Sequence, residues 1–222
     1  VRAVPLYQIL IADDHPLFRD AFAGVVQQAF VGSTVLQAQD FSTCLQLAQD
    51  NPELDLIVLD LHMPGSEGLG GLQQLVASCS TIPVVMVSAE ENRSLVLQSM
   101  AMGAVGFLIK TLPREQIIKA LEQVLQGQVY LPAELLRATP VVEQASSQVN
   151  EAQLRQMTKR QLRVLQCLAQ GLSNKQIADL LCIAETTVKT HVSDVLRKMQ
   201  VRNRTQAALV VDAKVLDTVL GG

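Results

Sequence analysis

In the first half of this chain, four short apolar runs each lead into a polar residue. Ile9-Leu10-Ile11-Ala12 leads into Asp13-Asp14, Leu56-Ile57-Val58-Leu59 into Asp60, Val84-Val85-Met86-Val87 into Ser88, and Phe107-Leu108-Ile109 into Lys110. Short runs rich in β-branched residues read as strands buried on both faces of a parallel sheet. Ligands of open α/β sheets bind outside the carboxyl ends of such strands. Acids, a hydroxyl and an ammonium therefore converge on one spot. Three carboxylates beside one lysine make a cation-plus-phosphoryl site rather than a core.

The pattern predicts strands over 8–12, 34–39, 56–59, 84–88 and 106–109, with amphipathic helices over 16–30, 42–49, 69–78, 94–102 and 113–126. Gly32 and Gly103 sit just past helix ends, where a left-handed residue is wanted. Five βα units imply an α/β doubly wound, five-stranded parallel sheet with right-handed crossovers. After Gly127 the periodicity weakens, and Pro132 and Pro140 break residues 128–150 into a linker with one short helix over 133–137. From residue 151 onward the pattern is purely helical. The expected organisation is a sheet domain over 1–127, a linker over 128–150 and a small all-α domain over 151–222.

Charge separates the same halves. Residues 1–150 carry 7 Lys and Arg against 15 Asp and Glu, a net of −8, whereas residues 151–222 carry 11 against 6, a net of +5. An acidic module joined to a basic one predicts that the second faces a polyanion. Aromatics make up only 3% of the chain and Trp is absent, so base stacking on aromatic platforms is a poor candidate for recognition. No apolar stretch approaches the ~18 residues of a membrane span. Residues 1–5 do not begin a basic-then-apolar leader, so a cytoplasmic protein without membrane contact is expected. Cys44, Cys79, Cys167 and Cys182 form no CxxC pair and read as reduced, helix-borne apolar residues.

A carboxylate at the end of the third strand suits nucleophilic attack on phosphorus, giving an acyl phosphate. A hard divalent cation, Mg²⁺ or Mn²⁺, held by Asp13, Asp14 and Asp60 would neutralise charge and bridge to phosphoryl oxygens. Lys110 supplies an ammonium and Ser88 a hydroxyl. Asp13 and Asp14 also suit capping of the helix that opens at Pro16, and Phe107 suits plain core. His62 and Glu90, two residues past Asp60 and Ser88, read either as borders of a water path or as exposed loop residues.

Asp13-Asp14, Asp60-x-x-Met63-Pro64-x-x-x-Gly68, Ser88-Ala89 and Phe107-x-x-Lys110 together resemble the signature of response-regulator receiver domains. The resemblance covers about residues 7–126. It implies Asp60 as phosphoacceptor, Asp13 and Asp14 as metal ligands with the His62 carbonyl, Ser88 and Phe107 as a switch pair, and Lys110 as the conformational lysine. Many receivers have proline after that lysine, whereas this chain has Thr111.

In the basic half, Thr158-x-x-Gln161 and Ser173-x-x-Gln176 fit capping boxes that start two helices. Leu162, Leu165, Cys167, Leu168 and Ala169 are expected on the buried side of the first. Ile177, Ala178, Leu180 and Leu181 are expected on that of the second. After a tight connection, a longer helix runs to about Met199. At ~100° per residue, its Val188, Val192, Val195 and Met199 form a core stripe. Thr186, Thr190, Ser193 and Arg197 lie opposite, with Lys189 and Asp194 on the flanks. Such a face suits a major groove, with Lys189 for a guanine edge and Thr190 for a thymine methyl or base edge. Thr187, Asn174, Lys175, Arg202 and Arg204 suit phosphates. A last amphipathic helix is expected over 205–216.

Leu165, Ala169-x-Gly171-x-Ser173-Asn174-Lys175-x-Ile177-Ala178, Leu181-x-Ile183, Thr187-Val188-Lys189-x-His191 and Lys198-Met199 resemble the LuxR-type helix-turn-helix of NarL/FixJ-type response regulators. Three positions depart from that pattern: Gln161 stands for the usual glutamate, Ala184 for the usual serine, and Asp194 for the frequent asparagine. Asp194 is expected to pair with Lys198 one turn on or to accept from a cytosine amine.

The resemblance implies a phosphorylation-controlled DNA-binding transcription regulator rather than an enzyme. Its partners would be a sensor histidine kinase and double-stranded DNA, bound as a homodimer. Two other readings stay open: a constitutive DNA-binding regulator with a scaffold receiver, and an aspartyl-phosphate phosphohydrolase. The second wants an acid two residues after the nucleophile, where this chain has His62.

Overall fold

The structure, a computed structural model, describes residues 6–66, 68–132, 153–154, 156–201 and 203–211. They fall into two compact units, the first ending its helices at Leu125 and the second holding the helices after residue 152.

The first unit alternates β1 (Gln8–Ala12), α1 (Pro16–Ala29), β2 (Thr34–Ala38), α2 (Phe41–Asp50), β3 (Leu56–Asp60), α3 (Gly70–Ser78), β4 (Val84–Ser88), α4 (Arg93–Met102), β5 (Gly106–Ile109) and α5 (Arg114–Leu125). Its strands form one parallel sheet in the order β2-β1-β3-β4-β5. Every residue of β3, β4 and β5 is buried, which is why these strands read as apolar runs up to Asp60 and Ser88 at the ends of β3 and β4. Leu10, Ile57, Leu59, Met86 and Phe107 bury one face with Cys44, Leu72, Leu75 and Val96 from α2, α3 and α4. Ile9, Ile11, Val58, Val85 and Leu108 bury the other against Phe22 and Val26 of α1 and Ala120 and Leu121 of α5. Burying one such aliphatic side chain is worth about 2 kcal/mol, so the two layers together hold the strand ends in place.

Helix ends follow local chemistry. Asp40 Oδ1 accepts from the Thr43 N–H at 2.8 Å, which starts α2 one residue earlier than the pattern predicted. Asn92 caps α4, and Gly103, at φ 120°, ends it in the left-handed conformation. The aspartates do not cap α1: its N-cap is His15, with no side-chain bond to the first turn. The Lys110–Thr111 peptide is trans.

The first residues of the expected linker are ordered against the sheet. The Tyr130 N–H donates to the Val105 carbonyl at 3.1 Å and its carbonyl accepts from the Phe107 N–H at 3.2 Å, a parallel bridge on the open edge of β5. The short helix expected over 133–137 lies outside the described residues.

The second unit holds α6 (Lys159–Ala169), α7 (Asn174–Leu181), α8 (Glu185–Met199) and α9 (Arg204–Val210). Both capping boxes form, Thr158 with Gln161 and Ser173 with Gln176. Val188, Val192, Val195 and Met199 are buried among Leu165, Leu168 and Ile177. Two residues depart from the expected buried sides. Ala169 is exposed at the end of α6, and Leu180 is 61% exposed because helical rotation carries it off the Ile177–Ala178 face. Cys182 closes α7 at φ 52° and is exposed, whereas the other three cysteines are buried. Burial pushes the Cys44 thiol up to about 12, so it is an inert core group. The expected last helix is described only as far as Val211.

Candidate phosphoryl-acceptor pocket and nucleic-acid interface

The sheet order reverses between β1 and β3, where Asp13 follows β1 and Asp60 ends β3. Asp13 and Asp60 are buried, at 1% and 3% exposure. From the end of β5, Lys110 Nζ reaches 2.8 Å from Asp13 Oδ2 and 3.0 Å from Asp60 Oδ2. Ser88 is fully buried, and its Oγ accepts from the Glu90 N–H at 3.0 Å. Its own hydroxyl proton is thereby left for another acceptor. The Ser88 carbonyl accepts from the Lys110 N–H at 2.8 Å, tying the two strand ends together. Thus all five polar groups expected at the strand ends occupy one end of the sheet. Phe107 is fully buried in the β4-β5 layer.

Burial raises the Asp60 carboxyl above its ordinary value; the Lys110 ammonium opposes the rise, and the Asp13 and Asp14 charges add to it. Burial also works against the Lys110 ammonium, but its bonds to Asp13 and Asp60 prevail and hold it above the usual lysine value. Lys110 is charged, and Asp60 is poorly solvated.

Three neighbours escaped the sequence reading. His15 Nδ1 lies 2.7 Å from Asp14 Oδ1 and 3.2 Å from Asp13 Oδ1. Arg19 donates to the Asp13 carbonyl at 2.7 Å, and Lys110 Nζ sits 4.8 Å from the Phe18 ring centroid. All three belong to α1 or its cap, and the adjacency of His15 to the aspartate pair was the available signal. His62 Nε2 and Glu90 Oε1 meet at 3.0 Å across the exposed rim.

Ligand atoms of Asp13, Asp14, His15 and Asp60 all lie within 4.8 Å of one another. Asp13 Oδ2 and Asp60 Oδ2 are buried beside the Lys110 ammonium, and Asp14 Oδ1 is buried beside the His15 ring. Three clustered carboxylates that share one lysine ammonium form a donor set that fits a hard, oxygen-seeking dication.

On α8, Thr186, Thr190, Ser193 and Arg197 are exposed, as the helical phase predicted, and so is Thr187. The Thr190 hydroxyl donates to the Thr186 carbonyl at 3.0 Å. The cation and amide positions differ from expectation or escape description. Lys189 is buried, 3.6 Å from Glu185, because it stands one step from Val188 at the border of the core stripe, with the acid one turn before it. Asn174 is buried because it shares the face of Ile177 and Ala178, three and four residues on. Arg204 donates to the Leu172 carbonyl instead of standing free. Arg202 lies outside the described residues, and Lys175 is half-buried.

Residues 9–122 match the family described as response regulator receiver domain, and residues 155–211 match bacterial regulatory proteins of the luxR family. The chain belongs to the response regulators. It is 48% identical over 212 residues to a glycerol metabolism activator of Pseudomonas putida, covering 92% of this chain and 94% of that protein. It is 34% identical over 203 residues to the nitrate/nitrite response regulator protein NarL of Escherichia coli K12, covering 91% of this chain and 94% of the relative. A solved LuxR family DNA-binding response regulator from Silicibacter pomeroyi shares 28% identity with a TM-score of 0.52, covering 59% of this chain and 99% of that one.

This response regulator is therefore a transcriptional regulator made of a receiver and a LuxR-type DNA-binding domain, not an enzyme that turns over a substrate. Receiver domains bind Mg²⁺ through acidic residues, and here the acidic cluster is Asp13, Asp14 and Asp60. The two domains imply a histidine kinase and DNA as partners. Among the described residues, no helix is long and apolar enough to cross a membrane.

Proposed function

We propose that Asp60 takes the phosphoryl group from a sensor histidine kinase and that this event controls how the second unit engages DNA. The carrying observation is the placement of Asp60 at 3% exposure, with the Lys110 ammonium 3.0 Å from its Oδ2. An Asp60 oxygen attacks phosphorus in line as the P–N bond of the phosphohistidine breaks, and the imidazole leaves with that electron pair. Mg²⁺, or Mn²⁺, held by Asp13, Asp14 and Asp60 supplies charge neutralisation at the phosphoryl oxygens. Lys110 adds the second positive charge, and the Ser88 hydroxyl donates to a phosphoryl oxygen. Phe107, fully buried on β5, is the side chain whose packing changes when that hydroxyl turns inward.

In the second unit α8 enters the major groove. Thr186, Thr190 and Ser193 read base edges, and Lys189 joins them once it leaves Glu185. Thr187, Lys175 and Arg202 serve the phosphates at the margins, and Asn174 and Arg204 join them only on leaving the buried α7 face and the Leu172 carbonyl. A homodimer reads two half-sites related by its own two-fold symmetry. The domains run over 1–127 and 151–222, with the connection over 128–150.

The test is fluorescence-anisotropy binding of the full chain to a selected DNA pool, with and without Mg²⁺ and beryllofluoride. Tighter binding with the mimic, abolished in Asp60→Asn, is expected. Equal binding in both states would sink the switch and favour a receiver that serves only as a scaffold.

A further inference from the structure

The two departures Gln161 and Asp194 touch each other. Gln161 Nε2 donates to Asp194 Oδ2 at 3.2 Å, and its Oε1 accepts from Lys198 Nζ at 2.8 Å and the Thr158 N–H at 3.0 Å. Lys198 Nζ also donates to the Gln156 carbonyl at 2.9 Å. Asp194 Oδ1 takes the Arg197 guanidinium at 2.8 Å. Asp194 therefore does not pair with Lys198, as its spacing suggested; it pairs with Arg197 at the i,i+3 position. Gln161 is 5% exposed and held by its capping box, so it is a fixed post that aims the carboxylate.

Around α8, Asp194 lies within about 60° of both Thr190 and Arg197. The last turn of the recognition helix thus carries two cations, neither of them free: Lys198 is held by two oxygens of the unit's own chain, and Arg197 by Asp194. A guanidinium already in an ion pair releases few phosphate counterions, and the carboxylate beside it repels the backbone.

We propose that Asp194 is a specificity-determining residue that suppresses sequence-independent DNA binding by occupying Arg197 and placing negative charge on the outer face of α8. It rests on the reading that α8 meets DNA. Non-specific affinity comes almost wholly from phosphate contacts, whereas base edges contribute to specific sites as well. Withdrawing one phosphate-seeking cation therefore weakens random duplexes and leaves base readout by Thr186, Thr190 and Ser193 in place.

The decisive variant exchanges the two groups, Gln161→Glu with Asp194→Asn. It leaves net charge unchanged and preserves the bonding pattern. The amide introduced at position 194 donates to the carboxylate introduced on α6, and Lys198 gains the ion pair that Arg197 loses. The full chain and this variant, both with Mg²⁺ and beryllofluoride, are compared on a selected duplex and on a random one. The variant is expected to bind random duplex several-fold tighter at low salt, with a salt slope steeper by about one counterion. Its advantage should therefore shrink about three- to fourfold between about 50 mM and about 200 mM salt. Gln161→Glu alone sets two carboxylates face to face and should melt lower, with Asp194→Asn restoring the melt. Identical random-duplex binding by parent and exchange variant overturns the proposal. A loss confined to one base pair of the selected duplex overturns it in favour of direct base reading by Asp194. A parent chain that binds neither duplex overturns the DNA reading of α8, and this proposal with it.

Discussion

Lys110 Nζ stands 3.0 Å from Asp60 Oδ2 and shares its charge with Asp13, so one ammonium balances two buried carboxylates. A dication entering the pocket works on the same charges. In chelator, Lys110→Met is expected to melt well below the parent because Asp13 and Asp60 are left without a cation. Mg²⁺ should raise the melting temperature of the variant more than that of the parent, since ligand stabilisation grows with affinity. Equal Mg²⁺ shifts in calorimetry would show that lysine and metal do not share these oxygens. The Lys110 contribution is present at neutral pH and is lost only above the ordinary lysine value of 10.5, because its pKa in the fold is raised.

Asp60→Asn tests the cost of holding a charge for chemistry. The folded carboxyl lies above its ordinary 3.8, so the fold binds its proton more tightly than the unfolded chain does. Stability is thereby reduced as pH rises through the folded value, and no penalty remains below 3.8. Without divalent ions the variant should melt a few degrees higher at neutral pH, and that advantage should vanish as the solution is acidified. A pH-independent difference would place its origin in packing.

Phe107 of β5 is fully buried in the layer the sheet forms with α2, α3 and α4. Phe107→Ala should destabilise the receiver by about 3–5 kcal/mol, read from denaturant unfolding. A loss under about 1 kcal/mol would mean that the layer collapses into the gap.

Ala184 is the N-cap of α8, with φ −64° and ψ 146° and no side-chain bond to the first turn. Ala184→Ser should stabilise the second unit by about 1 kcal/mol, seen as a higher melting temperature. An unchanged melt would mean that water already satisfies those N–H groups.

The strand runs, their polar ends and both capping boxes were legible because each depends on neighbours within a few residues. A fully buried strand has to be apolar throughout, and a capping box has to place its two residues three apart. The identities of Asp13, Asp14, Asp60, Ser88 and Lys110 as one pocket followed from strand polarity alone. Other features depend on chain segments that no local pattern links. Tyr130 pairs with the edge of β5 because that edge has open backbone groups, which no periodicity in residues 128–132 announces. Leu180 turns outward because packing selects the Ile177–Ala178 face, from which helical rotation carries it away. Asp194 chooses Arg197 over Lys198 because Gln161, from another helix, already holds Lys198. Local periodicity prescribes which face of an element is apolar; the partner of a charged side chain is decided by whatever the tertiary packing brings within hydrogen-bond reach.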